Sequence, residues 1–305
     1  MKVASIDIGS NAVRLLIADV EGRKITKVHY KKRHITKLAE VLSSRKMLSN
    51  AAVERTLTAL MDFVHSINNI GGVKRVHAVA TSAVREATNS DLLLEAAKKF
   101  GLEIEVIDGD TEAGLIYDGI TAGIDVEDKK TLMFDIGGGS TEFIYSNPET
   151  GNAGLSVPLG VVRMAELYNF KDKINMEDMD RMTMPIFTVL NTVIEALDCK
   201  PEIMIGSAGT PTTLAAMDMK MTEYDQEKVN GYVLKRANIE KHFKTLCEMP
   251  AELRVHIPGM EEGREEVIIP GILILTELMS MLGIEEIIVS DYGVREGLAV
   301  AIANV

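Results

Sequence analysis

The apolar positions along the chain open as strands. Val3 to Ile8 is a short apolar run ending in Asp7-Ile8-Gly9-Ser10, and Val13 to Val20 is a second run. Glu21-Gly22 reads as a hairpin turn into a third strand, Lys24 to Tyr30. Ser49-Asn50 caps a predicted helix from Ala51 to about Ile67, with Val53, Leu57, Leu60, Met61 and Val64 on its apolar face. A strand (Arg75 to Ala80), a helix (Asp91 to Phe100), a strand (Glu103 to Ile107) and a helix (Thr111 to Ala122) follow. The pattern then restarts. Thr131 to Asp135 is a strand, Glu142 to Ser146 the next, and Gly151 to Val157 a third. Helices are predicted over 160–169, 176–197 and 210–218, with a strand at Glu202 to Ile205. The end carries a helix over 265–282, a strand from Glu286 to Ser290 and a last helix over 293–303. A β-β-β-α-β-α plan thus occurs twice, each copy headed by a strand that ends in Asp-Ile-Gly. The predicted domains are 1–124 plus 293–305, and 125–292.

Composition narrows the function. The 305 residues hold 45 acidic against 33 basic side chains, a formal charge of -12. That balance disfavours general binding to nucleic acid or to anionic membranes. Taken alone it also disfavours a polyanionic substrate. Cys199 and Cys247 cannot make a disulfide framework and are expected as free thiols. The six histidines show no metal-ligand spacing. The opening MKVASIDIG has no leader pattern. The longest apolar stretch, Val267 to Leu282, contains Pro270 and Glu277 and reads as a buried helix. A cytoplasmic protein with no membrane partner is expected.

Candidate chemistry sits in the two glycine turns, Asp7–Asn11 and Asp135–Thr141. Glycine lets successive backbone amides approach phosphate oxygens and form an anion-binding nest, to which hydroxyls can add donors. The phosphate-binding set is then Gly9, Ser10 and Asn11 with Gly137, Gly138, Gly139, Ser140 and Thr141. The leading aspartates repel phosphate, so they make sense with a divalent cation, Mg²⁺ first, between carboxylate and phosphate. Asp7, Asp135 and Glu142 are the expected metal set. Gly209 and Thr210, between a strand and a helix, form a third anion-friendly turn or a simple tight connection. The stretch Gly22 to Leu38 holds seven cations and no acid. It reads either as a solvated hairpin face or as a basic track serving the first turn.

The strings DIGSNAVRL (7–15), TSAVREATN (81–89), GDTEAGLIYDGI (109–120), DIGGGSTE (135–142), GSAGTPTTLAAM (206–217) and VSDYGVREGLAV (289–300) together resemble the exopolyphosphatase / guanosine pentaphosphate phosphatase (Ppx/GppA) family in its short two-domain form. The resemblance implies an α/β fold of two duplicated RNase H-like domains of the actin, sugar-kinase and Hsp70 superfamily, with an interdomain cleft. It implies Mg²⁺-dependent removal of the terminal phosphate from polyphosphate or guanosine pentaphosphate, and a homodimer is compatible with it. Glu112 matches the position of the catalytic base, which orients and deprotonates the attacking water. Glu142 would assist with metal or water. Arg14 and Arg85 match family arginines suited to phosphate contact. Arg264 is a weaker candidate for the far end of the substrate or a solvated helix start. One departure is Glu112-Ala113-Gly114, where the family often has Glu-Ala-Arg. The competing expectations are a small ATP-dependent kinase of the same superfamily, which DIGSN in place of DxGGT disfavours, and a non-catalytic guanosine tetra- or pentaphosphate sensor.

Overall fold

The computed structural model describes residues 1–126, 128–197 and 200–304, so Cys199 lies outside the described residues. Two units separate within the chain, Met1–Gly123 with Tyr292–Val305, and Ile124–Asp291.

The first unit runs β1 (Lys2–Ile8), β2 (Ala12–Glu21), β3 (Lys24–Ile35), α1 (Leu42–Arg45), α2 (Asn50–Ile70), β4 (Arg75–Ala80), α3 (Ser82–Glu86), α4 (Asp91–Lys99), β5 (Ile104–Val106) and α5 (Gly109–Gly123). The second runs β6 (Thr131–Ile136), β7 (Thr141–Asn147), β8 (Gly151–Val157), α6 (Val161–Leu167), α7 (Met176–Leu197), β9 (Ile203–Ser207), α8 (Gly209–Asp218), α9 (Gln226–Val229), β10 (Val233–Lys235), α10 (Arg236–Cys247), α11 (Ala251–Arg254), α12 (Ile268–Leu282) and β11 (Glu286–Val289). The chain then returns to the first unit as α13 (Val294–Ala303).

The sheets repeat one plan. The first has the order β3-β2-β1-β4-β5 and the second β10-β11-β9-β6-β7-β8. In both, an antiparallel three-strand meander joins two further strands in parallel. β10 is an extra antiparallel edge outside the repeat. Central strands with parallel neighbours are buried on both faces, which is why β1 and β6 read as nearly unbroken apolar runs. Edge strands β3 and β8 carry the polar residues.

Ser49 accepts a hydrogen bond from the Ala52 amide and starts α2, as its sequence signals. Ala52, Val53, Thr56, Ala59, Leu60, Phe63 and Ile67 are the buried face of α2; Met61, expected among them, is exposed, because the buried stripe is rotated toward Phe63. α12 has its first eight residues fully within the core of the second unit. Pro270 is tolerated there as its third residue, inside the first turn where no intrahelical partner is needed. The sequence pattern predicts nothing between 219 and 264; α9, β10, α10 and α11 fill it. Among the described residues no helix is long and apolar enough to cross a membrane.

Candidate active site

The two glycine turns have the same construction. Gly9 donates to the Ala12 carbonyl at 3.1 Å, and Gly137 donates to the Ser140 carbonyl at 3.0 Å. A Cβ at either glycine would press on that carbonyl, at 3.1 Å and 2.9 Å, so Gly137 closes its turn only without a Cβ, and Gly9 closes its own with less crowding than any other residue would. Each turn's carbonyls are consumed by the protein. Ser10 O accepts from Ala39 N, and Asn11 O from Thr36 N and Lys37 N. Gly137 O accepts from Val161 N, and Gly138 O from Val162 N and Arg163 N. Among the described residues the amides of Ser10, Asn11, Gly138, Gly139 and Ser140 donate to no protein acceptor. Each turn therefore presents consecutive backbone amides in the arrangement of an anion nest.

The hydroxyls contribute less than the sequence suggests. Ser10 Oγ lies 3.0 Å from Ser82 Oγ in a buried pair. Thr141 donates its hydroxyl to the Leu159 carbonyl and so adds no donor for a ligand. Thr210 is also buried, its side chain against Gly271 of α12. A Cβ at Gly209 would overlap the Arg264 guanidinium, so the glycine leaves that side chain its place. Arg264 is buried and donates from Nε to Glu261 at 2.8 Å; it is not a solvated helix start.

Strand register sets the charges beside the turns. Residues opposite each other on neighbouring strands share a face. In the first unit Asp7 faces Arg14, and Arg14 faces Arg33. The equivalent row in the second unit is Asp135 facing Glu142, Glu142 facing Ser156, and Asp135 facing Ser207. A cationic row thus matches a carboxylate-and-hydroxyl row. Arg14 Nη1 pairs with Asp7 Oδ2 at 3.2 Å. Burial pushes the Asp7 carboxyl up despite the pull of Arg14. Ser207 Oγ donates to Asp135 Oδ2 and Ser156 Oγ to Glu142 Oε1, both at 2.8 Å.

These placements decide how a divalent ion fits. Asp135 and Glu142 stand opposite each other as hard oxygen donors, the kind of sparse carboxylate pair that suits Mg²⁺ with its retained waters. Asp7 belongs to the first unit and is engaged by Arg14. Among the described residues no group of three or more His, Cys, Asp or Glu side chains is disposed to hold a metal.

Glu112 is buried in the first turn of α5. That helix starts earlier than its apolar pattern predicts, because the Asp108 side chain accepts from Thr111 N at 2.8 Å and caps it. Those amide bonds hold the Asp108 carboxyl below its usual range. Arg85, at the end of α3, binds Glu112 Oε2 at 3.1 Å and the Ile107 carbonyl at 2.7 Å through the same Nη1. The arginine therefore orients the carboxylate. Gly114 is exposed, and nothing lies within 4 Å of where its Cβ would be, so the missing arginine leaves open space.

The basic stretch is partly spent inside the first unit: Arg23 pairs with Asp118, Lys31 with Glu296 and Lys32 with Asp62. Three residues without a sequence-derived role complete the picture. Glu296 on α13 is buried, binding Arg295 and Lys31. Arg163 donates from Nε to the Gly139 carbonyl at 3.0 Å. Arg295 and Glu296 sit inside the VREG string, which was the available signal; Arg163 had none beyond its nearness to the second turn.

This chain is 29% identical over 317 residues to Exopolyphosphatase 2 of Mycobacterium tuberculosis, covering 99% of each protein. It is 35% identical over 298 residues to the bifunctional 3-dehydroquinate synthase/phosphatase of Fusobacterium nucleatum; that match takes in 94% of this chain and spans less than half, 44%, of the relative. Its fold matches the crystal structure of the Aquifex aeolicus member of the Ppx/GppA protein family with a TM-score of 0.81 at 32% identity, covering 100% of this chain and 98% of the other. The duplicated sheets, the order of the motifs and a match of residues 16–304 to the model of that family agree: the chain belongs to the Ppx/GppA phosphatase family.

Proposed function

We propose that this protein is an exopolyphosphatase, hydrolysing the terminal phosphate of inorganic polyphosphate, with guanosine pentaphosphate as a second substrate bearing the same phosphoanhydride. The observation that carries the reading is the matched pair of turns, Asp7 and Asp135 being 135 − 7 = 128 positions apart, each with undonated amides beside a charged strand row.

Amides of Ser10, Asn11, Gly138, Gly139 and Ser140 hold phosphate oxygens in this reading, with Arg14 adding a guanidinium; the Gly9 and Gly137 amides, expected among them, are used to close the turns. Gly209, Thr210 and Arg264 serve the substrate's far end. Glu112 accepts the proton of the attacking water. A carboxylate must be ionised to do so, and its ion pair with Arg85 requires that form. The new bond joins water oxygen to phosphorus, the anhydride bond breaks, and the shortened chain leaves with its electron pair. Mg²⁺, when bound, would be held by Asp135 and Glu142 and would supply charge neutralisation on the phosphates.

Phosphate release is to be measured with polyphosphate, guanosine pentaphosphate and ATP, each with and without Mg²⁺. Release from polyphosphate without an acceptor is expected. Transfer only in the presence of an acceptor would show a kinase, and binding without release a sensor. Glu112→Gln keeps a hydrogen-bond acceptor for Arg85 and should still fold cooperatively, while losing about 10²- to 10⁴-fold in turnover. Near-normal release from that variant sinks the assignment.

A further inference from the structure

The glycine turn of the second unit is held by one side chain that no motif names. A trans peptide is planar, with its C=O and the following N–H pointing in opposite directions. Fixing a carbonyl therefore fixes the next amide. Gly137 O is taken by Val161 N, Gly138 O by Val162 N and Arg163 N, and Gly139 O by Arg163 Nε. Those three carbonyls belong to the peptides whose amides are Gly138, Gly139 and Ser140, the amides without a protein acceptor.

We infer that Arg163 is a positioning residue for phosphate binding: with the first turn of α6 it anchors three consecutive carbonyls and so aims the amides of Gly138, Gly139 and Ser140 at a phosphate group. The inference rests on the phosphate-binding role proposed above. The first two peptides are anchored by backbone amides of α6. The third, Gly139–Ser140, is anchored among the described residues by the arginine side chain. Glycine peptides reorient at little steric cost, so this is the plane most prone to turn its carbonyl outward. The first unit solves the same problem differently. There the Ser10 carbonyl, which fixes the Asn11 amide, is anchored by the backbone amide of Ala39. The two turns share a shape but differ in what keeps it.

Arg163→Met and Arg163→Lys separate anchoring from charge. Lysine keeps the positive charge but carries a methylene where arginine carries Nε. Binding of inorganic tripolyphosphate is measured by calorimetry without turnover, alongside amide shifts of ¹⁵N-glycine- and ¹⁵N-serine-labelled protein and thermal melting. Both variants should bind tripolyphosphate about tenfold more weakly, the loss expected for one charge-assisted hydrogen bond. The Gly139 and Ser140 amide signals should respond less to the ligand than in the parent. Parental affinity in Arg163→Met overturns the inference. So does parental affinity in Arg163→Lys, which would assign the effect to charge, and that variant alone decides if the methionine form does not fold. A parent protein that binds no tripolyphosphate at all sinks the proposed function itself, an outcome distinct from a parent that binds and variants that bind equally well.

Discussion

Arg254 is the residue that most clearly shows tertiary structure overruling type. It is fully buried, and no carboxylate among the described residues pairs with it. Its guanidinium instead donates to the carbonyls of Leu246, Phe170, Glu265 and Asp172, which tie α10, the loop before α7 and the approach to α12 together. Burial lowers its pKa, yet the fork keeps four backbone acceptors satisfied. Arg254→Met would fill similar volume and remove the guanidinium donor from all four carbonyls, of which Leu246 O keeps its bond from the Met249 amide. The expected cost is at least about 3 kcal/mol, read from the denaturant midpoint. Nothing in the local string Glu252-Leu253-Arg254-Val255 separates this arginine from an exposed one. Glu112 was legible through its motif, whereas its grip by Arg85 depends on two segments 27 positions apart.

At the scale of elements, glycine marks where helices touch. α13 packs on α5 so closely that a Cβ at Gly297 would overlap the Leu115 carbonyl, and one at Gly119 the Gly293 carbonyl. Gly114, on the same α5, has free space around its missing Cβ. The same chemical change should thus act with opposite sign. Gly297→Ala is expected to lower stability by about 1–3 kcal/mol through overpacking. Gly114→Ala should raise it by up to about 1 kcal/mol through helix propensity. Equal melting shifts for the two would refute the packing account. Most strands and long helices were legible, since their periodicity reflects the face they bury. The short α9, β10 and α11 were not, because three or four residues carry no period, and Met61 was misplaced by a rotation of one stripe.

At the scale of the whole molecule, charge acts in local networks and not as an average. The net charge of -12 coexists with a buried network in which Glu296 binds Lys31, Arg295 and the Gly293 amide. Burial alone would raise the Glu296 pKa, but Arg295 and Lys31 outweigh it and hold the carboxyl below its ordinary 4.5. A depressed pKa means that the ionised form favours the fold. Its contribution is complete above about pH 4.5 and is lost as pH falls through the lower folded value. Glu296→Gln removes the buried carboxylate from this network and should cost about 3 kcal/mol near neutrality. That difference from the parent should shrink as denaturation is followed below pH 4.5; a gap independent of pH would show that the ion network is not its source.

By itself the sequence determined where the strands begin, that the plan occurs twice, where the two glycine turns fall and to which family the motifs point. Those features are local: a period of two, a glycine forced by its own turn, a string of adjacent residues. Only the tertiary structure decided which groups remain for a ligand. It spent the Ser10 and Thr141 hydroxyls internally, paired Lys31 with a glutamate 265 positions away, set Arg85 on Glu112 and placed Arg163 behind Gly139. Hydrogen-bond capacity is shared among whatever the fold brings together, so what a side chain has left to offer depends on its distant partners.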